Sequence, residues 1–151
     1  MKLTQPTIYH LHQLMDWFTS ISELTRWSGP NFRFPFNQQS FLEDLKLDDY
    51  YSYALVTPQG ELVAFGQFYQ RLGCCHLSRL VINPSFRGQG FIDTLINKLC
   101  VLGLAQLQVR QCSLFVFASN KTAINAYLKH GFRVCDYPDD NDLKDCLYMI
   151  K

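Results

Sequence analysis

Between Leu80 and Ile92 the chain reads Leu-Val-Ile-Asn-Pro-Ser-Phe-Arg-Gly-Gln-Gly-Phe-Ile. An apolar run stops at a proline, a short loop carries Gly88 and Gly90, and an apolar periodic segment follows. The first N–H groups of a helix have no internal acceptor and lie at the positive end of its dipole. Glycine lets such a backbone approach a ligand without an intervening Cβ. A phosphate or pyrophosphate suits that arrangement, and Arg87 can add charge-assisted hydrogen bonds at its rim. Arg87, Gly88, Gln89, Gly90, Phe91 and Ile92 are therefore candidate anion-binding positions, against the plainer alternative of an ordinary strand-to-helix turn. The spacing lacks both G-x-x-x-x-G-K-[ST] and G-x-G-x-x-G, which excludes the nucleoside-triphosphate P-loop and the dinucleotide fingerprint.

Other reactive side chains are scattered. His76 lies in a strand-like run and could take a proton, directly or through water, although a lone strand histidine is commonly structural. Glu61 falls at a hairpin turn. His10 and His12 are two apart and face different ways on a helix, so no metal site is expected there. Asp48-Asp49 and Asp139-Asp140 read as solvated turns. Cysteines at 74, 75, 100, 112, 135 and 146 form no C-x-x-C pair and read as reduced, mostly buried thiols.

The elements that must position these residues follow from periodicity. Helical spacing is expected over 8–18, 21–27 and 38–47, with Leu3 in a short opening strand. Strands are expected over 51–56 and 62–70, joined by Pro58-Gln59-Gly60, and over 74–82, where Asn83-Pro84 stops the ladder. A helix over 91–102, a strand over 109–118, a helix over 121–129 capped by Ser119 or Asn120, and strands over 132–135 and 143–149 complete the chain. This order makes a mixed α/β arrangement around a central sheet. The 151 residues are 48% apolar and 18% charged, enough for one domain with a real core. A net charge of +1 argues against nucleic acid or an anionic membrane as partner. No apolar run suits a membrane span or secretory signal, so a cytoplasmic location is expected.

The sequence Arg87-x-x-Gly90-x-Ile92 resembles the acyl-CoA loop of the GNAT superfamily of N-acyltransferases, (Arg/Gln)-x-x-Gly-x-(Gly/Ala), with Ile92 departing from it. A second block resembles that family's Asn-x-x-Ala-x-x-x-Tyr-x-x-x-Gly-Phe segment at Asn120, Ala123, Tyr127, Gly131 and Phe132. Trp27-Ser28-Gly29-Pro30 followed by Phe34-Pro35 is similar to the substrate-side region of some bacterial members. The resemblance spans essentially the whole chain and implies a single domain over 1–151. Its sheet would be mixed and mostly antiparallel, with a splayed parallel pair at 74–82 and 109–118 and flanking helices.

It also implies transfer of an acetyl group from acetyl-CoA to a primary amine by direct attack, without a metal. Backbone groups of Leu80 and Ile82 would pair with pantetheine, and the Val81 amide would face the developing oxyanion. Amides of 87–92 would hold the pyrophosphate, with Asn120 and Ala123 beside the cofactor. Tyr127 would protonate the leaving thiolate, against the alternative of a packing aromatic. The general base stays open among His76, Glu61 and a water chain. Trp27, Phe32 and Phe34 would line an acceptor pocket or else form a satellite core. The acceptor is a small-molecule amine or a peptide, peptide N-terminal acetylation being the runner-up. A non-catalytic acyl-CoA sensor and an aromatic protein-binding scaffold are the rival classes. Dimers are common in the family, which leaves a homodimer open.

Overall fold

The computed structural model describes residues 1–139 and 144–151. In chain order the elements are β1 (Lys2–Thr4), α1 (Ile8–Met15), α2 (Ile21–Ser28), α3 (Gln38–Leu45), β2 (Tyr51–Val56), β3 (Leu62–Arg71) and β4 (Cys74–Ile82). A 3₁₀ turn at Pro84–Phe86 leads to α4 (Phe91–Leu107), β5 (Cys112–Phe117), α5 (Lys121–Lys129), β6 (Arg133–Cys135) and β7 (Cys146–Ile150). The strands form one sheet in the order β1-β2-β3-β4-β5-β7-β6. Every described pairing is antiparallel except β4 with β5. The expected architecture, a mixed sheet with one parallel pair and flanking helices, is the one found. Asp140 and Leu143, assigned above to a turn and a strand start, lie outside the described residues.

Local chemistry explains the helix starts. Thr7, Ser20, Asn37 and Asn120 each accept a backbone N–H from the third residue of the helix that follows, which satisfies one orphan donor per helix. The two sheet faces bury different sets. Ala64 and Phe68 face a cluster with Leu95, Ile96 and Leu99 of α4 and with Ile124 and Tyr127 of α5. Phe65 faces a second cluster made by Leu11 and Leu14 of α1, Leu24 of α2, and Phe41 and Leu45 of α3. Each such fully buried Leu or Phe contributes about 1.5–3 kcal/mol of transfer free energy.

Helix α4 runs five residues beyond the expected 91–102 because Gly103 does not end it. A Cβ at Gly103 would strike Cys75 Sγ and crowd the Phe68 ring. Likewise a Cβ at Gly66 would sit 2.6 Å from a Leu99 methyl and 2.8 Å from one of Leu80. Both glycines serve close approach of α4 to β3 and β4 rather than a turn. All six cysteines are free, four of them buried.

Candidate active site

The parallel pair is short. Cys75, His76 and Leu77 register with Cys112, Ser113 and Leu114, and there the ladder stops, although β4 continues to Ile82 and β5 to Phe117. Past Leu77 the two strands part into a fork, with β5 paired to β7 on its far side. A β-bulge bends β4 at that point. Gln67 pairs with Ser78 and Phe65 with Val81, so Arg79 and Leu80 together oppose Gly66. Arg79 has φ of 52°, the strained conformation that lets the extra residue in. The bulge also explains the odd spacing of Leu77 and Leu80, three apart yet both packed in the α4 cluster.

Backbone direction follows from period two. The Asn83 N–H donates to Val63 O at 2.9 Å, on the β3 side. The Val81 amide, two residues back and in register with Phe65, turns the same way. The amides of Leu80 and Ile82 turn the other way, into the fork. The expectation that Val81 faces an oxyanion is therefore corrected: its amide belongs to β3, and Leu80 and Ile82 supply the gap-facing backbone. The side chains of Leu80 and Ile82 pack toward the α4 cluster, and that of Val81 toward the α1–α3 cluster.

Beyond the fork lies the glycine loop. Gly88 (φ 74°) and Gly90 (φ 78°) both adopt the left-handed conformation, and a Cβ on either would meet nothing within 4 Å. Glycine is required there by backbone angle, and the space it leaves is open. Gly90 is the N-cap of α4, and this start has no side-chain cap, unlike the starts of α1, α2, α3 and α5. The first N–H groups of this long helix therefore stay available beside exposed Arg87 and Gln89. Phe91 and Ile92 are half-buried and pack against the α4 cluster, so the bulky side chain of Ile92 turns inward, away from the loop. Asp93, in the first turn, accepts from Lys129 Nζ at 2.6 Å and meets His130 Nε2 at 2.8 Å. These contacts tie the start of α4 to the end of α5 and hold the Asp93 carboxyl below its usual pKa.

The second block closes the same end of the sheet. Asn120 Oδ1 accepts from the Ala123 N–H at 3.3 Å, which leaves its Nδ2 free to donate. Ala123 packs against the α4 cluster. Tyr127 is buried, its ring edge-on to Phe132 at 6.0 Å, and burial pushes its hydroxyl pKa up to about 12. An open cleft of about 430 Å³ lies between α2 and the end of β5, lined by Ile21, Ser22, Thr25, Arg26, Phe117 and Ser119.

The remaining expected residues are not all brought to this place. His76 is 2% exposed, its Nδ1 sharing a hydrogen bond with Ser113 Oγ at 2.9 Å, and its ring lies between Tyr69 and Phe115. Burial, aided by the Arg71 charge, pushes its pKa down to about 3, so it stays neutral. It sits within the paired part of β4 and β5, below the fork, and nothing there suits it to receive a proton from an acceptor. Glu61 is exposed at the β2–β3 turn. Trp27 and Phe32 join Phe18, Phe41 and Phe65 in one aromatic cluster, with Trp27 stacked on Phe18 at 4.4 Å and Phe32 edge-on to Phe41 at 5.1 Å. Phe34 is 37% exposed and meets the cluster at its rim, through Phe36, whose ring lies 4.9 Å from Phe41.

Arg79 is the side chain that sequence reasoning missed. It is half-buried on the α1–α3 side of the bulge, donating from Nη1 to Leu45 O at 2.9 Å and Gln67 Oε1 at 3.0 Å. Its guanidinium lies over Phe32 at 5.3 Å and Tyr50 at 5.2 Å. The broken alternation of Leu77-Ser78-Arg79-Leu80 was the available signal.

Residues 19–132 match the Acetyltransferase (GNAT) family. The chain belongs to that family. Among relatives, the GNAT chain is 26% identical over 103 residues to a putative [ribosomal protein bS18]-alanine N-acetyltransferase of Bacillus subtilis, covering 68% of each. The fold is similar to that of the spermidine N-acetyltransferase of Vibrio cholerae solved with CoA and spermine, with a TM-score of 0.75 at 18% identity over 99% of this chain and 94% of that one. It is also similar to the ribosomal-protein-S18-alanine N-acetyltransferase of Escherichia coli, with a TM-score of 0.68 at 21% identity over 99% and 91%. Among the described residues no helix is long and apolar enough to cross a membrane.

Proposed function

We propose that this GNAT domain, spanning 1–151, acetylates a primary amine by direct attack on acetyl-CoA held in the fork between β4 and β5. The observation that carries this reading is the uncapped N-terminus of α4, with Gly88 and Gly90 open before it, at the end of a strand edge left without a partner. The residues fit the group. Amides of 87–92 and Arg87 suit a pyrophosphate. The gap-facing amides and carbonyls of Leu80 and Ile82 suit the amides of a pantetheine arm, and the Asn120 Nδ2 adds a donor on the opposite wall. When bound, acetyl-CoA supplies an activated thioester.

This chain's own groups then act on the bound thioester. The Leu80 amide, turned into the fork at the bulge, stabilises negative charge on the acyl oxygen. Tyr127, with a pKa of about 12, keeps its proton at neutral pH and can pass it to the departing sulfur, regaining one from the acidic N–H of the tetrahedral intermediate. The two walls of the fork, Ser78–Ile82 and Phe115–Phe117, carry no carboxylate. The amine therefore loses its proton to water before attack, and turnover follows its neutral fraction.

Relatives named for spermidine and for a ribosomal-protein alanine share the fold, so the family does not choose the acceptor. The test is calorimetric titration with CoA together with free-thiol release from acetyl-CoA over an amine panel. Saturable binding with thiol release from some amine is expected. Binding without release from any amine would overturn the enzymatic reading in favour of an acyl-CoA sensor, and no binding would overturn both.

A further inference from the structure

We propose that the acceptor amine of this enzyme is a small amino carboxylate and that Arg79 recognises its carboxylate; the inference rests on the acetyl-transfer reading above. Arg79 sits two residues past the last β4–β5 pair, at the mouth of the fork, on the side of the sheet opposite α4. Its Nη1 is occupied by two neutral oxygens, Leu45 O and Gln67 Oε1. Its Nε and Nη2 find no protein acceptor among the described residues, and the side chain is only half-buried. One edge of the guanidinium fork thus remains available, in the geometry that takes a carboxylate through two parallel N–H groups.

No carboxylate among the described residues is hydrogen-bonded to Arg79. No described carboxylate forms an ion pair with Arg79. Asp44, whose charge reaches Arg79, is already held by Arg33 at 3.0 Å through both Nε and Nη2, and Glu43 is held by the same arginine at 2.7 Å. The Phe32 and Tyr50 rings on which Arg79 rests fix its position without neutralising it. The same face continues through the Tyr50–Tyr69 stack at 4.4 Å to a second arginine, Arg71, which among the described residues bonds the hydroxyls of Tyr69 and Tyr137. A half-buried cation with no ion-pair partner among the described residues costs free energy. An acceptor that supplies the missing negative charge recovers it, whereas a polyamine would add like charge to two arginines. The buried indole N–H of Trp27, which shares the Phe32 ring with Arg79, also has no acceptor among the described residues.

The experiment follows free thiol with acetyl-CoA and four acceptors: an α-amino acid, its carboxamide, spermidine, and a peptide with a free N-terminus and an amidated C-terminus. Parent protein, Arg79→Gln and Arg79→Lys are compared, and CoA affinity is measured for each. The parent is expected to favour the acid over its carboxamide by about 10- to 100-fold in kcat/KM, the value of a charge-assisted hydrogen-bond pair. R79Q should bring that ratio close to one with CoA affinity retained, and R79K should restore part of it. Spermidine, the carboxamide or the amidated peptide serving the parent as well as the acid would overturn the proposal. So would an acid preference that R79Q leaves intact. Should R79Q fail to fold, the parent's preference among the four acceptors still decides. CoA binding with no thiol release from any amine would remove the enzymatic reading itself, and the present proposal with it.

Discussion

On the α4 side of the sheet, the features suited to a ligand are made of backbone: uncapped amides, two glycines at positive φ, and the free edge of β4. On the α1–α3 side, they are made of side chains: Trp27 stacked on Phe41 with Phe32 edge-on to Phe41, and Arg79 laid over Phe32 and Tyr50. Backbone amides bind any pyrophosphate alike, so that side can serve a whole family. The proposed acceptor selection falls to the other side, because side chains such as Arg79 can discriminate by charge. His76 and Tyr127 sharpen the contrast, since burial keeps both neutral, yet His76 lies below the fork and Tyr127 lies on α5 beside the cofactor segment.

The largest effect tests whether His76 is packing alone. A histidine whose folded pKa is about 3, against an ordinary 6.5, contributes stability that is full above pH 6.5 and is lost as pH falls toward 3. The loss amounts to about 3 kcal/mol by about pH 4. Denaturant titrations should show His76→Gln less stable than the parent at neutral pH, with the gap narrowing in acid. Its pH–rate profile should match the parent's, and a lost limb near neutrality would return His76 to the chemistry.

Next comes Tyr127→Phe, which removes the hydroxyl and leaves the ring on Phe132. Steady-state kinetics should show kcat lowered about 100-fold, with CoA affinity nearly unchanged by calorimetry. A kcat within twofold of the parent would reduce Tyr127 to a packing residue. For the parent, kcat/KM should rise about tenfold per pH unit until the acceptor's own ammonium pKa. The break should move with the acceptor chosen, and a fixed break shared by all acceptors would mean a side-chain base.

Gly90→Val probes the backbone side. A branched residue at φ 78° is strained by about 1–2 kcal/mol, so CoA should bind about 10-fold more weakly, while aromatic fluorescence from the α1–α3 cluster stays the same. The smallest effect is Asp93→Asn. Releasing Lys129 and His130 should cost no more than about 1 kcal/mol of thermal stability, with salt reducing the difference.

The contrast between the two sides also explains what could be read from the chain. The glycine loop at 87–92 and the helix start at Asn120 were legible, because positive-φ glycines and an N-capping Asn leave fixed marks in sequence. Strands β2 and β4 and helix α5 have the bounds their periodicity predicts. Helix α4 was cut short at Gly103, since a glycine placed for close packing looks the same in sequence as one that ends a helix. Val81 was assigned the oxyanion while Leu80 and Ile82 were read as facing the cofactor, and the regular pairing of Val81 with Phe65 and Ile82 with Ala64 turns the Val81 amide to β3 instead. Arg79 was passed over for a related reason: Phe32, Leu45, Tyr50 and Gln67 come from distant parts of the chain and meet it only in the fold.

The account stands on the fork. A crystal structure of the protein with CoA tests it most directly. The pyrophosphate should lie on the amides of residues 88–92, with the pantetheine arm running between β4 and β5 against the backbone of Leu80 and Ile82. CoA bound elsewhere, with the fork filled by side chains of β4 and β5, would contradict it.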